Sequence, residues 1–135
     1  MSAAHVRVRA GGEHYALPVE GVREITPRGR ITPVPGAPPA VLGVWNLRGD
    51  VVAAVDLATI LGLAPDDGEG RVVVVEDGEL RAGLAVEEVL DVEALPDVLE
   101  AIDSRYLAGA ALVDGTQVGL IDLRAVLAAA MGAER

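Results

Sequence analysis

Cysteine, lysine and phenylalanine are all absent from this sequence. Without Cys there is no disulfide and no thiolate ligand for a metal. Without Lys there is no phosphate-cradling loop of the GxxxxGK kind, and the eleven basic residues are all Arg. The aromatic inventory is Trp45, Tyr15 and Tyr106, so a core must be built from Val, Leu, Ile and Ala, which an apolar content of 51% permits. No apolar run approaches a membrane span and the first residues carry no apolar signal segment. The expectation is a soluble cytoplasmic protein with no direct membrane insertion. A net charge of -10 also argues against nucleic acid as partner, because binding it requires a basic face to neutralise phosphates.

That charge is unevenly placed. Residues 1–62 hold six Arg and five acids, whereas residues 63–135 hold five Arg and sixteen acids. A solvated, solubilising surface accounts for the acidic half, and a bipolar molecule meeting different partners at its two ends is the alternative.

What the chain does contain is an internal echo. Residues 41–61, VLGVWNLRGDVVAAVDLATIL, return as residues 107–127, LAGAALVDGTQVGLIDLRAVL. At an offset of 66, Gly43, Gly49, Val52, Asp56, Leu57 and Leu61 meet Gly109, Gly115, Val118, Asp122, Leu123 and Leu127. Upstream the offset is 67, where Gly11, Leu17, Val19, Glu20 and Val22 meet Gly78, Leu84, Val86, Glu87 and Val89. Two related units follow, residues 1–63 and 71–131, joined by a Gly- and Asp-rich linker over 64–70. Units of roughly 65 residues are near the lower limit for folding alone, so they are expected to share apolar surface.

Alternation predicts a hairpin from His5–Ala10 and Glu13–Val19 across Gly11-Gly12. Glu20–Ile25 is short enough to be strand or a helical turn. Five prolines between Thr26 and Pro39 predict an ordered loop or edge, not a central strand. Strands are expected at Leu42–Leu47 and Val51–Val55, with Arg48-Gly49 in the same turn that Asp114-Gly115 makes in the second copy. A short helix opens at Asp56. Arg71–Glu76 reads as a buried strand paired with Glu79–Val86. Glu87–Asp103 is acidic, with apolar Val89, Val92, Leu95, Val98, Leu99 and Ile102. Asp122–Met131 reads as a C-terminal helix.

Candidate chemistry is sparse. Asp56 and Asp122 occupy equivalent positions, which suggests either a carboxylate dyad or two helix caps; each precedes a helix-forming stretch, which favours the caps. His5 and His14 have no partner at metal-ligand spacing. Trp45 is either an interface anchor or core filling. Arg48, at an exposed hairpin tip, can offer a planar donor fork to a carboxylate or carbonyl.

Gly43-Val44-Trp45-Asn46-Leu47-Arg48-Gly49, with Val51-Val52 and Val55-Asp56-Leu57, resembles the central motif of the CheW-like domains. Tyr15-Ala16-Leu17-Pro18-Val19 with Val22-Arg23-Glu24-Ile25 resembles their early hairpin. Val86-Glu87-Glu88-Val89 and Tyr106-Leu107-Ala108-Gly109 resemble their second subdomain. The resemblance implies a mainly β fold: two SH3-like five-stranded β-barrel subdomains sharing a core, with short helices including one at the C-terminus. It implies no catalysis, metal or cofactor, and an adaptor joining the cytoplasmic tip of chemoreceptors to the regulatory domain of a CheA-type histidine kinase. Val22, Glu24, Gly43 and Arg48 match positions the family uses in that coupling. Two other classes remain open at this point: a small-ligand or peptide-binding β-barrel, and an acid–base enzyme using Asp56 or Asp122.

Overall fold

A computed structural model describes residues 4–65, 68–95 and 100–131. Two residues of the expected linker, 66 and 67, lie outside the described residues, as do Val98 and Leu99 of the acidic segment. The chain runs β1 (Ala4–Ala10), β2 (Glu13–Pro18), a 3-10 turn (Val19–Gly21), β3 (Val22–Pro27), β4 (Ile31–Thr32), β5 (Val41–Leu47), β6 (Asp50–Asp56) and α1 (Leu57–Ile60). It continues through β7 (Arg71–Asp77), β8 (Leu80–Val86), β9 (Glu88–Ala94), β10 (Leu107–Val113), β11 (Thr116–Ile121) and α2 (Leu123–Ala130). The ambiguous stretch after the first hairpin is therefore both things in succession, a helical turn and then a strand.

These strands form two sheets that cut across the two halves of the sequence. One is ordered β3-β7-β8-β6-β5-β4 and the other β10-β11-β2-β1-β9. In each, early and late chain meet in one parallel pair, β6 with β8 and β2 with β11, and in one antiparallel pair, β3 with β7 and β1 with β9. In the first sheet the end strands β3 and β4 are separated in sequence by only residues 28–30. The sheet must therefore curl until its ends approach, which makes it a barrel with a seam between β3 and β4. At the β10 edge of the second sheet Glu100 bridges Ala110, with N–H···O distances of 2.8 and 2.9 Å. Five strands are found in the second barrel and six in the first. The extra strand, β4, is two residues long because Pro33, lacking an amide hydrogen, cannot extend its ladder.

The register of pairing repeats at the offsets seen in the sequence. Val41↔Val55 and Gly43↔Ala54 around the bulge in β5 recur as Leu107↔Ile121 and Gly109↔Leu120 in β10. Ala54↔Gly83 in one parallel pair corresponds to Leu120↔Ala16 in the other.

β7 explains why a run of four valines was needed. Val73 and Val75 face a core shared by both sheets and both helices, while Val72 and Val74 face the interior of the first barrel. A strand covered on both sides reads as a continuous apolar run. α2 buries Leu123, Val126, Leu127 and Ala130, a single stripe at helical spacing, against β7 and β8. Leu17, Leu57, Leu84 and Leu127 are fully buried in the shared core. Trp45 is only 6% exposed and fills the first barrel, together with Leu47, Val52, Val72 and Val74.

Candidate partner-docking site

The turn between β5 and β6 shows what Asn46-Leu47-Arg48-Gly49 does locally. Asn46 Oδ1 accepts a hydrogen bond from the Gly49 amide at 3.0 Å, closing the turn from the side chain. Leu47 is buried in the barrel and anchors it. Arg48 and Gly49 both take positive φ, 52° and 90°, and their counterparts Asp114 and Gly115 take 48° and 83°. Both copies are thus tight hairpins of the twisted kind. Asp tolerates that conformation, whereas for Arg it carries a steric cost.

Arg48 projects from this tip, with its side chain 78% exposed, and reaches Glu24 on β3. Nη1 donates to Glu24 Oε2 at 3.0 Å, and Nη2 pairs with Oε1. On the other side of the turn, Asp50 Oδ2 lies 3.6 Å from Arg81 Nη1 on β8. Val51, next along β6, is 71% exposed. The tip is therefore a charged fork, locked in place from two directions, beside an uncovered aliphatic side chain.

The structure brings two of the four sequence candidates, Glu24 and Arg48, into direct contact. Val22 starts the same strand as Glu24, with its side chain partly buried against the shared core. Gly43 does not touch the pair. It lies in the β5 bulge at φ 152°, where an added Cβ would run into the Thr32 carbonyl and within 2.9 Å of Pro33 Cα. Its part is to let β4 and the proline-rich loop lie flat on β5. Asn46, which sets the tip geometry, was not singled out by sequence, although an Asn three residues before a turn Gly is a recognisable signal.

A second concavity lies at the other end of β5, where the two halves of the chain meet. Pro38, Pro39, Thr59 and Ile60 from one half and Arg105, Tyr106 and Ala129 from the other border an open groove of about 390 Å³. The Arg105 guanidinium stacks over the Tyr106 ring, 5.7 Å from its centre. With seven residues of β5 between them, groove and tip are separated by roughly 20 Å.

The two aspartates raised as a possible dyad sit at the starts of the two helices. Asp122 Oδ1 accepts from the Ala125 amide at 3.2 Å, a cap of the expected form. Asp56 holds the same backbone position, but its Oδ2 accepts from the Thr59 hydroxyl at 2.7 Å. The difference is chemical: Thr59 supplies a hydroxyl where the counterpart position holds Ala125. Among the described residues, no cluster of three or more His, Asp or Glu has metal-binding geometry, and no helix is long and apolar enough to cross a membrane. Burial pushes the Tyr15 pKa up, and nearby Glu13 adds to the rise.

The CheW-like domain family matches residues 4–131. The chain belongs to this family. Among curated relatives of this CheW-like chain, the probable chemotaxis protein CheW of Rhizobium etli is 30% identical over 131 residues, covering 90% of this chain and 84% of that protein. The chemotaxis protein CheW of Rhizobium meliloti matches over the same shares at 30% identity. PilI of Pseudomonas aeruginosa is 38% identical over 90 residues, 65% of this chain and 51% of that protein. Among solved structures, the scaffolding protein TtCheW from Thermoanaerobacter tengcongensis superposes with a TM-score of 0.82 at 27% identity, over 91% of this chain and 86% of that one. The expectation of two SH3-like subdomains with short helices holds.

Proposed function

We propose that this CheW-like chain is a non-catalytic scaffold that couples chemoreceptors to a CheA-type histidine kinase in a chemotaxis-like pathway of the cytoplasm. Its relatives are named as chemotaxis and scaffolding proteins. Its own geometry offers two separate surfaces, the hairpin tip and the groove at the other end of β5. The observation that carries the reading is the Arg48 fork, held by Glu24 at the tip of a hairpin where a less strained residue would fold as well. Strain kept at an exposed site, where the twin hairpin avoids it, favours a role in contact over a role in folding.

In this reading Glu24 and Arg48 form the charged centre of the contact with the kinase regulatory domain or the receptor tip. Val22 sets the strand that carries Glu24, and Gly43 sets the loop beside it. Contacts of this size give modest affinity singly, and an array recovers strength through many copies. The repeated register also supports an origin of the fold by duplication of a unit corresponding to 1–63 and 71–131.

The test is a calorimetric titration of the chain against the regulatory domain of a CheA-type kinase from the same organism, at physiological salt. Saturable binding near one-to-one is expected. No binding to any such kinase of that organism would remove the adaptor role and leave only the fold.

A further inference from the structure

The docking tip stands at one mouth of the first barrel, and the strand register shows what else is there. Val72 and Val74 on β7, and Val52 and Ala54 on β6, point into that barrel. Residues two apart on a strand share a face, and antiparallel partners project together. One step beyond Val74 and Val52 the inward row therefore ends on charge: Glu76 on β7, its partner Arg81 on β8, and Asp50 on β6. Glu24, the β3 partner of Val74, belongs to the same row.

Arg81 is the costly member of this row. Its Nε is buried and has no hydrogen-bond partner among the described residues. The stem is thus covered as far as Nε, and a donor is left unmet, a cost that an aliphatic side chain would not carry. Its strand partner Glu76 is engaged from the other side by Arg23, Nε to Oε2 at 3.1 Å. The head of Arg81 reaches Asp50, with Nη1 3.6 Å from Oδ2. Asp50 directly follows the Arg48-Gly49 pair, so this contact holds the outgoing end of the turn that the Asn46–Gly49 hydrogen bond closes.

The twin hairpin is built differently. At the sequence offsets, Arg81 corresponds to His14 and Asp50 to Thr116. His14 reaches β1, its Nδ1 2.9 Å from Arg7 Nη2, and Thr116 carries no charge. Asp114 takes the φ of 48° in that turn, a conformation Asp tolerates. The ionic brace accompanies the turn that carries a strained Arg.

We propose that Arg81 is a positioning residue for the docking tip: through Asp50 it fixes the strained turn so that the Arg48 fork stays on Glu24 and open to a partner. The assignment rests on the reading of the tip as a docking site. An exposed ion pair adds little to folding stability. It can still select one orientation of a turn, because the packed stem of Arg81 has little rotamer freedom left to lose. Arg81 acts through Arg48 and does not itself meet the partner.

Arg81→Met keeps an unbranched apolar stem and removes the guanidinium together with its unmet donor. The melting temperature of the variant should therefore equal or exceed that of wild type. Calorimetry against the kinase regulatory domain should show affinity about tenfold weaker, and Arg81→Lys, which restores a cation, should recover most of it. In the Arg48→Asn background Arg81→Met should have no further effect, since two residues that act as one are non-additive. An equal loss with and without Arg48 would make Arg81 a partner contact in its own right, and a loss of stability in step with affinity would make it a structural residue. Either result, or unchanged affinity in Arg81→Met, overturns the proposal.

A readout without any partner separates this proposal from the coupling role. Exchange of the Gly49 amide, which donates to Asn46 Oδ1, should quicken about tenfold in Arg81→Met while amides of the β7–β8 ladder keep their protection. Unchanged Gly49 exchange refutes the positioning role even where wild type binds the kinase domain. Failure of wild type to bind removes the coupling role, and the Gly49 exchange rate then decides the positioning role alone.

Discussion

Arg48 and Glu24 pair through both guanidinium Nη atoms, although β3 and the β5–β6 hairpin are not neighbours in the sheet: β7 and β8 lie between them in the strand order. The pair therefore forms on the side of the seam and is made by the curvature of the sheet, not by its ladder. An ion pair this exposed adds little to stability. Its value lies in presenting a fixed, planar donor group at a defined place.

Replacing Arg48 with Asn should separate folding from coupling. Asn is at ease at positive φ, so relief of about 1 kcal/mol offsets loss of an exposed ion pair worth about 1 kcal/mol or less. Thermal denaturation should show stability within about 1 kcal/mol of wild type, while calorimetry shows affinity for the kinase regulatory domain reduced at least tenfold, about 1.4 kcal/mol. A collapse of the melting temperature would make Arg48 a structural residue.

Exchanging the charges, Glu24→Arg with Arg48→Glu, keeps an internal pair but reverses what a partner meets. The double variant should fold as wild type and remain deficient in binding. Full recovery of binding would mean that the pair matters only by bracing the turn.

Gly43→Ala should destabilise the first barrel by about 2–4 kcal/mol, because its Cβ meets backbone that can yield only by moving. The displaced segment is β4, whose Ile31 pairs with Trp45. Trp45 fluorescence in the folded state should therefore shift along with the denaturation midpoint. An unchanged spectrum and midpoint would show that the bulge relaxes freely.

Leu84→Ala removes a fully buried side chain from the shared core and should cost about 2–5 kcal/mol. The loss should fall on both barrels at once. Trp45 fluorescence reports the first barrel and far-ultraviolet circular dichroism reports both, and their transitions should coincide in wild type and variant. Two separated transitions would count against a common core.

Tyr15 makes stability fall in alkali. Burial, and secondarily Glu13, raises its pKa above the ordinary 10.0, so the folded state favours the neutral phenol. That contribution is complete below the unfolded value and is lost as pH rises through the folded one. Denaturant midpoints measured across this range should decline, and Tyr15→Phe should flatten the decline. An equal decline in the variant would assign it to other groups.

Much of the candidate site could be read before any coordinates. The hairpin tip followed from Gly49 and its echo Gly115, and the two helix starts from Asp56 and Asp122. What could not be read was contact. Nothing in the spacing of Glu24 and Arg48, 24 residues apart, says that they touch, because that depends on how far a sheet of intervening strands curls. The difference between the two caps was hidden for a similar reason: it rests on which donor, the Thr59 hydroxyl or the Ala125 amide, reaches the carboxylate.

Local pattern by itself determined the strands, turns and final helix, because alternation, turn chemistry and helical spacing act over a few residues. It also determined the internal echo, which needs only comparison of the chain with itself. Tertiary structure decided how strands are shared: each barrel draws on both halves, joined by the parallel pairs β6–β8 and β2–β11. It decided too that Val74 and Arg7, 67 residues apart and so equivalent by the upstream offset, differ in surroundings: Val74 faces the apolar interior of the first barrel, and Arg7 pairs with Glu93 on β9 at 3.3 Å. Such choices depend on which side chains from distant segments fill the same space, and packing of that kind is settled only when the whole chain has closed on itself.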